Sequence, residues 1–105
     1  MIQKRILESI KKLLDKEYKL DMYSADIRLA YALYYAYLTE PTEVLELRPI
    51  VFGAYDMFEK KMGNLTRSAY ERAVYRALEK AFGQYEDGND SRVKTFTKIL
   101  ERVEV

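Results

Sequence analysis

Apolar residues dominate the stretch IRLAYALYYAYL at residues 27–38, in which Arg28 is the single charge. Projected as a helix, the stretch has large apolar side chains on one side and alanines with Leu29 on nearly the opposite side. A helix that is apolar all round is buried between neighbours, and tyrosine suits such a position because its ring fills core while its hydroxyl reaches a polar partner. The pattern predicts the central helix of a bundle, or a helix with one face buried in a homodimer.

Amphipathic helices are predicted on both sides of this central segment. Residues 2–17 place isoleucines and leucines at helical spacing, and Ser24 is positioned to cap the helix that follows. Ser68 and Glu71 have the spacing of a capping box, which predicts the start of a further helix that Gly83 closes. The apolar face of that helix consists of Tyr70, Ala73, Val74, Ala77, Leu78 and Ala81.

Residues 42–62 have an unbroken helical spacing of apolar side chains, which Pro49 interrupts. Proline has no amide donor and clashes with the preceding turn. The sequence therefore predicts either a kinked helix, or a short helix at 42–47 followed by a second helix with Pro49 in its first turn. Gly63 lies where a glycine that ends a helix belongs.

The C-terminal segment decides between two folds. QYEDGNDS, at residues 84–91, has the composition of a loop, and the apolar residues after it recur at helical spacing, although VKTFT is also typical of a strand. We expect a helix, and therefore a single all-α domain over residues 1–105, a bundle of about five helices around the Tyr/Ala-rich central helix. The alternative is a winged helix-turn-helix with a small C-terminal hairpin.

The composition excludes several kinds of chemistry. The 105 residues include no cysteine and no histidine, so disulfides, thiolate nucleophiles, Cys-based zinc sites and histidine acid–base catalysis are all excluded. The glycines are scattered singly, so no phosphate-cradling loop is present. Glu40, Glu43 and Glu46 are a poor metal set, because carboxylate-rich di-metal bundles normally add histidine. We expect a protein that is not an enzyme and that takes no cofactor and no metal.

The N-terminal sequence intersperses charges among its apolar residues, whereas a signal peptide needs an unbroken apolar run. Residues 27–38 are too short to cross a bilayer. We therefore expect a cytoplasmic protein with no membrane partner. Few amide side chains beside abundant lysine, glutamate and tyrosine resemble the composition of thermophile proteins, which favours a thermophilic microbe or one of its viruses or plasmids as the source.

Two rows of basic residues have the form of a binding surface, one in the helix that follows residue 67 and one in the last segment. Three cations at four-residue spacing extend over about 12 Å of helix, which matches a run of phosphates, and an exposed tyrosine beside them can stack on an unpaired base. The plain alternative is a solvated helix face, because the net charge is only +1. The candidate nucleic-acid-binding residues are Arg67, Arg72, Tyr75, Arg76, Lys80, Lys94, Lys98 and Arg102.

The segment YDMFEKKMGNLTRSAYERAV has the order helix, glycine-containing turn, helix, so a helix-turn-helix is a further alternative. Its pattern is imperfect, because Glu59 falls where a small residue belongs and Arg72 falls where the second helix packs inward. A hairpin of two packed helices without a DNA role is the favoured explanation of this pattern. In a DNA-reading domain the contacts would come from Thr66, Arg67, Ser68 and Arg72.

The favoured hypothesis is a small, non-enzymatic nucleic-acid-binding accessory module. The competing hypothesis is a protein-interaction module, either a homodimer or an adaptor or inhibitor of a larger complex. Its basis is the excess of tyrosine, which is enriched at interface cores, and the uneven distribution of charge. Residues 1–20 sum to +3 and 64–83 to +2, whereas 21–47 sum to −4. Such asymmetry suits phosphate binding on one surface or docking to a charged protein.

Overall fold

Five α-helices and one 3₁₀ turn form the described part of the protein. The structure is a computed structural model that describes residues 2–39, 46–82 and 92–103. No strand occurs in those three ranges, which confirms the all-α prediction, and the radius of gyration is 12.6 Å. The helices are α1 Ile2–Tyr18, α2 Ile27–Thr39, α3 Arg48–Met57, α4 Arg67–Phe82 and α5 Arg92–Glu101, and the 3₁₀ turn is Glu59–Lys61.

α2 lies at the centre of the bundle, as its apolar pattern predicts. It packs against α1, α3, α4 and α5 within the same chain, so its two apolar faces need no second copy to cover them. The ring of Tyr34 stacks on Phe58 with 5.4 Å between centroids, and Tyr31 packs on the same ring at 5.2 Å. The buried residues of α2 are Leu29, Ala30, Ala32, Leu33, Tyr34 and Ala36.

Pro49 determines where α3 begins. The helix starts at Arg48 and holds Pro49 in its first turn, where the missing amide costs nothing because the first amides of a helix have no partner within it. This confirms the predicted position of Pro49. Glu46 and Leu47 are not helical, and the remainder of the short helix predicted at 42–47 lies outside the described residues.

The prediction that this helix runs to residue 62 is wrong beyond Met57. Phe58 leaves the helical conformation at φ −110° and ψ 25°, although its amide still donates to the Ala54 carbonyl at 2.9 Å. The chain then forms the 3₁₀ turn and passes through Gly63, whose φ of +61° is left-handed. Glycine adopts this conformation without the cost that a Cβ imposes, so Gly63 reverses the chain after the turn rather than ending α3.

α4 is capped two positions earlier than the sequence pattern indicates. Thr66 is the cap, because its Oγ1 accepts a hydrogen bond from the Ala69 amide at 3.1 Å. The predicted capping box is wrong, since Ser68 is exposed within the first turn and Glu71 forms an ion pair with Arg48 instead. The predicted apolar face of α4 is confirmed, and all six of its residues are buried.

The last segment is helical, as expected. Phe96 and Ile99 of α5 are fully buried, so the winged alternative is wrong over Arg92–Glu101. The connection between α3 and α4, residues 58–66, is also longer than the three or four residues that join the helices of a helix-turn-helix. Gly83 and the predicted loop at 84–91 lie outside the described residues. Within the described ranges, no helix has both the length and the hydropathy of a membrane span.

Candidate nucleic-acid interface

A shallow groove of about 350 Å³ runs along α4 where this helix meets the start of α2. Four cationic side chains and one carboxylate line it, which leaves a net charge of +3, and the other side chains around it are small or apolar. The lining residues are Ala25, Asp26, Arg28, Leu65, Ala69, Arg72, Ala73, Arg76 and Lys80.

The amphipathic pattern of α4 positions three of the four cations. Its apolar face is buried against α2, α3 and α5, so the positions at Arg72, Arg76 and Lys80 form a row on the outer side. Successive members are four residues apart, which corresponds to a rise of about 6 Å along the helix. Like charges at this spacing repel each other by a few tenths of a kcal/mol per pair. The row therefore does not stabilise α4.

Arg28 is the fourth cation, and sequence reasoning did not include it among the candidates. It lies in the first turn of α2, and its backbone carbonyl accepts a hydrogen bond from the Tyr70 hydroxyl at 2.9 Å. Tyr70 is fully buried in α4, and burial raises its pKa, so the phenol stays protonated and remains a donor. This bond fixes the start of α2 against α4 and brings Arg28 to the row.

Within the described ranges, the arginines of the groove have no acidic partner, whereas four other arginines do. No carboxylate lies within 4.0 Å of the guanidinium nitrogens of Arg28, Arg72 or Arg76 in the part of the chain that the structure describes. The paired arginines elsewhere are Arg48 with Glu71 at 2.9 Å, Arg67 with Asp56 at 2.9 Å, Arg92 with Glu79 at 2.6 Å and Arg102 with Glu17 at 3.4 Å.

Asp26 partly neutralises Lys80. The residue is 5% exposed, and its Oδ1 accepts from Lys80 Nζ at 2.9 Å. The other oxygen accepts from the Asp21 amide at 3.2 Å, so the carboxylate also holds the turn before α2. The positive charge of the groove is therefore concentrated on its three arginines.

The groove can hold anionic oxygens through hydrogen bonds from guanidinium groups, which match phosphate geometry in pairs. In the described ranges, no three Asp, Glu, His or Cys side chains converge as a metal site requires. Known proteins add no relative. No family model matches the chain, and no curated protein or solved structure matches it. The function must therefore be argued from the groove itself.

Tyr75 does not lie in the groove, although it follows Arg72 and precedes Arg76 in the sequence. Its hydroxyl donates to Glu71 Oε2 at 2.9 Å, and the Arg92 guanidinium lies 4.6 Å from the centre of its ring. Desolvation, followed by the hydrogen bond to Glu71, raises the pKa of Tyr75. The ring is therefore partly buried and held on another face of α4, beside Arg48 and Arg92.

Glu71 is the centre of this second cluster. One of its oxygens accepts from both Arg48 Nε and the Tyr75 hydroxyl, and these bonds, the one from Arg48 first, hold its pKa below its usual range. Because the arginines on this face are paired with Glu71 and Glu79, the cluster links α3, α4 and α5 rather than presenting free charge.

Arg67 lies apart from the groove, at the start of α4. Its guanidinium pairs with Asp56 and lies 5.1 Å from the centre of the Phe52 ring. Thr66 caps the helix. Two of the four residues that would read DNA in a helix-turn-helix therefore have structural partners within the chain.

The predicted row on α5 is also separate from the groove. Lys94 and Lys98 are exposed on α5. Arg102 donates to the Tyr18 hydroxyl at 3.0 Å and pairs with Glu17, which ties the end of this segment to α1. Of the eight predicted site residues, the structure brings Arg72, Arg76 and Lys80 together with Arg28, and it places the other five elsewhere.

Proposed function

We propose that the protein is a small, non-enzymatic nucleic-acid-binding module that holds phosphates in the groove between α2 and α4. The observation that carries this proposal is the convergence of Arg28, Arg72 and Arg76, which have no carboxylate partner among the described residues, in a groove of net charge +3. An anionic ligand would supply the charge that the described part of the chain lacks at this place.

Phosphate is the anion that best fits the row. Arginine binds phosphate oxygens through two parallel hydrogen bonds, whereas a single carboxylate would occupy only one member of the row. Steps of about 6 Å over three residues of α4 suit a ligand that presents several phosphates in succession. Because the net charge of the chain is only +1, the attraction is local to the groove.

The first test is fluorescence anisotropy of labelled oligonucleotides, single-stranded and duplex, titrated with the protein at about 50 and 200 mM salt. Three or four phosphate contacts on a duplex should lower the affinity by roughly 40- to 150-fold between the two salt concentrations. An affinity that is the same at both salt concentrations would contradict the proposal. So would the absence of any binding at 50 mM salt with protein at about 100 µM.

Asp26→Asn is expected to tighten binding while weakening the fold. The substitution removes the carboxylate that holds Lys80 and adds one positive charge to the groove, which should raise the affinity about five- to fifteenfold at 50 mM salt. The unfolding free energy should fall by about 1 kcal/mol, because the asparagine carbonyl still accepts from the Asp21 amide and Lys80 is largely exposed. Anisotropy and urea denaturation measure the two effects.

Asp56→Asn is the matched control for this prediction. It changes the net charge by the same amount and frees Arg67, which lies outside the groove. The proposal requires a clearly smaller gain in affinity for Asp56→Asn than for Asp26→Asn. Equal gains would mean that overall charge, and not the groove, controls binding.

A further inference from the structure

The aromatic ring of Tyr23 is not part of the packed core. Its relative exposure is 101%, whereas the rings of Tyr18 and Tyr70 are buried in the core. A fully exposed ring contributes no burial to stability, and exposed aromatic rings next to cations are the platforms on which nucleic-acid-binding proteins stack unpaired bases.

The loop that carries Tyr23, residues 21–26, is held by its own hydrogen bonds. The amide of Tyr23 donates to Asp21 Oδ1 at 2.8 Å. Ser24 Oγ donates to the Asp21 carbonyl at 2.9 Å and accepts from the Asp26 amide at 3.2 Å, so Ser24 shapes this loop and α2 starts after it, at Ile27. The backbone under Tyr23 is therefore already ordered, and a ligand that contacts the ring does not have to order it.

The same loop borders the cationic groove. Ala25 and Asp26 line the groove, and the Cα atom of Tyr23 lies within about 7.6 Å of that of Ala25, because two trans peptides join them. Asp26 also anchors the loop to α4 through Lys80. A nucleic-acid strand whose phosphates lie in the groove can therefore place one of its bases against the Tyr23 ring.

Tyr23 itself lines a second, smaller groove of about 250 Å³ against α1. Glu8, Asp15 and Asp21 outnumber the two lysines there, which leaves a net charge of −1. Phosphates are therefore attracted to the α4 side of the loop and not to the α1 side.

Resting on the proposed function, we infer that Tyr23 is the stacking platform for an unpaired base, and that the preferred ligand of the groove is single-stranded nucleic acid. Tyr23 takes the role for which the sequence indicated Tyr75. The phosphates beside this base lie on Arg28, Arg72 and Arg76. A duplex binds through the same phosphates but leaves Tyr23 unused, because its bases are paired and stacked.

The test compares Tyr23→Ala with the wild type on single-stranded and duplex oligonucleotides. Loss of one base–aromatic stack should lower the single-strand affinity by at least about fivefold and leave the duplex affinity unchanged. Tyr23→Phe keeps the ring and should bind as the wild type does. Met57→Ala removes another exposed apolar side chain, outside the groove, and should change neither affinity. Circular dichroism should be the same for all variants, since the Tyr23 ring is fully exposed.

A single strand with abasic sites gives an independent readout. It keeps the phosphates but has no bases to stack, so the wild type and Tyr23→Ala should bind it equally. Equal binding of the normal single strand by these two proteins would overturn the role of Tyr23, and so would equal losses on single strand and duplex. If charge reversal of Arg72 and Arg76 still abolished binding, the groove itself would stand. A wild type that binds neither oligonucleotide would overturn the groove and the stacking role together.

Discussion

Reversing Arg72 and Arg76 together to glutamate is expected to lower the affinity for nucleic acid on the order of a hundredfold at 50 mM salt. On a duplex, the logarithm of the binding constant falls by about 0.9 per phosphate contact for each tenfold rise in salt. Each contact therefore raises the affinity roughly fifteenfold when the salt concentration falls from 1 M to 50 mM. Loss of two contacts removes both gains, and the new carboxylates repel the remaining phosphates. The salt slope should also fall by about 2. Anisotropy titrations at several salt concentrations measure both quantities.

Lys60→Glu with Lys61→Glu is the matched control. It causes the same change in net charge on the exposed 3₁₀ turn, outside the groove. This control should bind nearly as the wild type does, and both double variants should keep the wild-type circular dichroism spectrum, because all four side chains are exposed. If the two double variants lost affinity equally, attraction would be a property of the whole surface and the groove would not be the site.

Leu33→Ala is expected to lower the free energy of unfolding by about 3 kcal/mol. Leu33 is fully buried in α2, which packs against the other four helices, so these cannot all close the space that the side chain leaves. For a chain of this size the melting temperature should fall by roughly 10–20 °C. Urea denaturation followed by circular dichroism measures the loss, and an unchanged m-value confirms that the unfolding transition itself is the same.

Leu13→Ala removes the same atoms at a partly exposed position of α1 and serves as the comparison. Its cost should be less than half that of Leu33→Ala, because less burial is lost and the space opens to water. A loss below about 1 kcal/mol for Leu33→Ala would mean that α2 is not the centre of the packed core.

The helices that pack by a regular pattern could be predicted from the sequence. The apolar pattern all around α2 and the six buried positions of α4 follow from helical periodicity, because burial on a known face leaves little choice of register. The position of Pro49 follows from its missing amide. These features depend on each segment alone, so they did not require knowledge of the neighbours.

The ends of elements depended on neighbours and could not be predicted. Phe58 continues the spacing of α3, yet the helix ends before it, at the point where its ring packs on Tyr31 and Tyr34 of α2. The sequence also does not show that Thr66 rather than Ser68 caps α4, because both residue types can cap a helix N-terminus. Such choices between local alternatives are made by tertiary packing.

Only part of the groove could be predicted from the sequence. The row on α4 follows from four-residue spacing, but the contribution of Arg28 depends on the contact between Tyr70 and the start of α2. A signal for Arg28 was present, because it is the single charge in the apolar stretch 27–38. The prediction that Tyr75 lies beside the basic row was wrong, because side chains adjacent in sequence point in different directions on a helix. Tyr75 contacts Glu71 and Arg92 on another face of α4.

The central position of α2 has a consequence for the protein as it is being made. Of the four helices that pack on α2, α1 precedes it from the ribosome, while α3, α4 and α5 are still to come. At about 5–20 residues per second, the wait from the end of α2 to the end of α4 is roughly 2–9 s. During that interval a tyrosine- and alanine-rich surface faces solvent without cover, so the nascent chain is most open to chaperone capture or aggregation while residues 40–82 are being added.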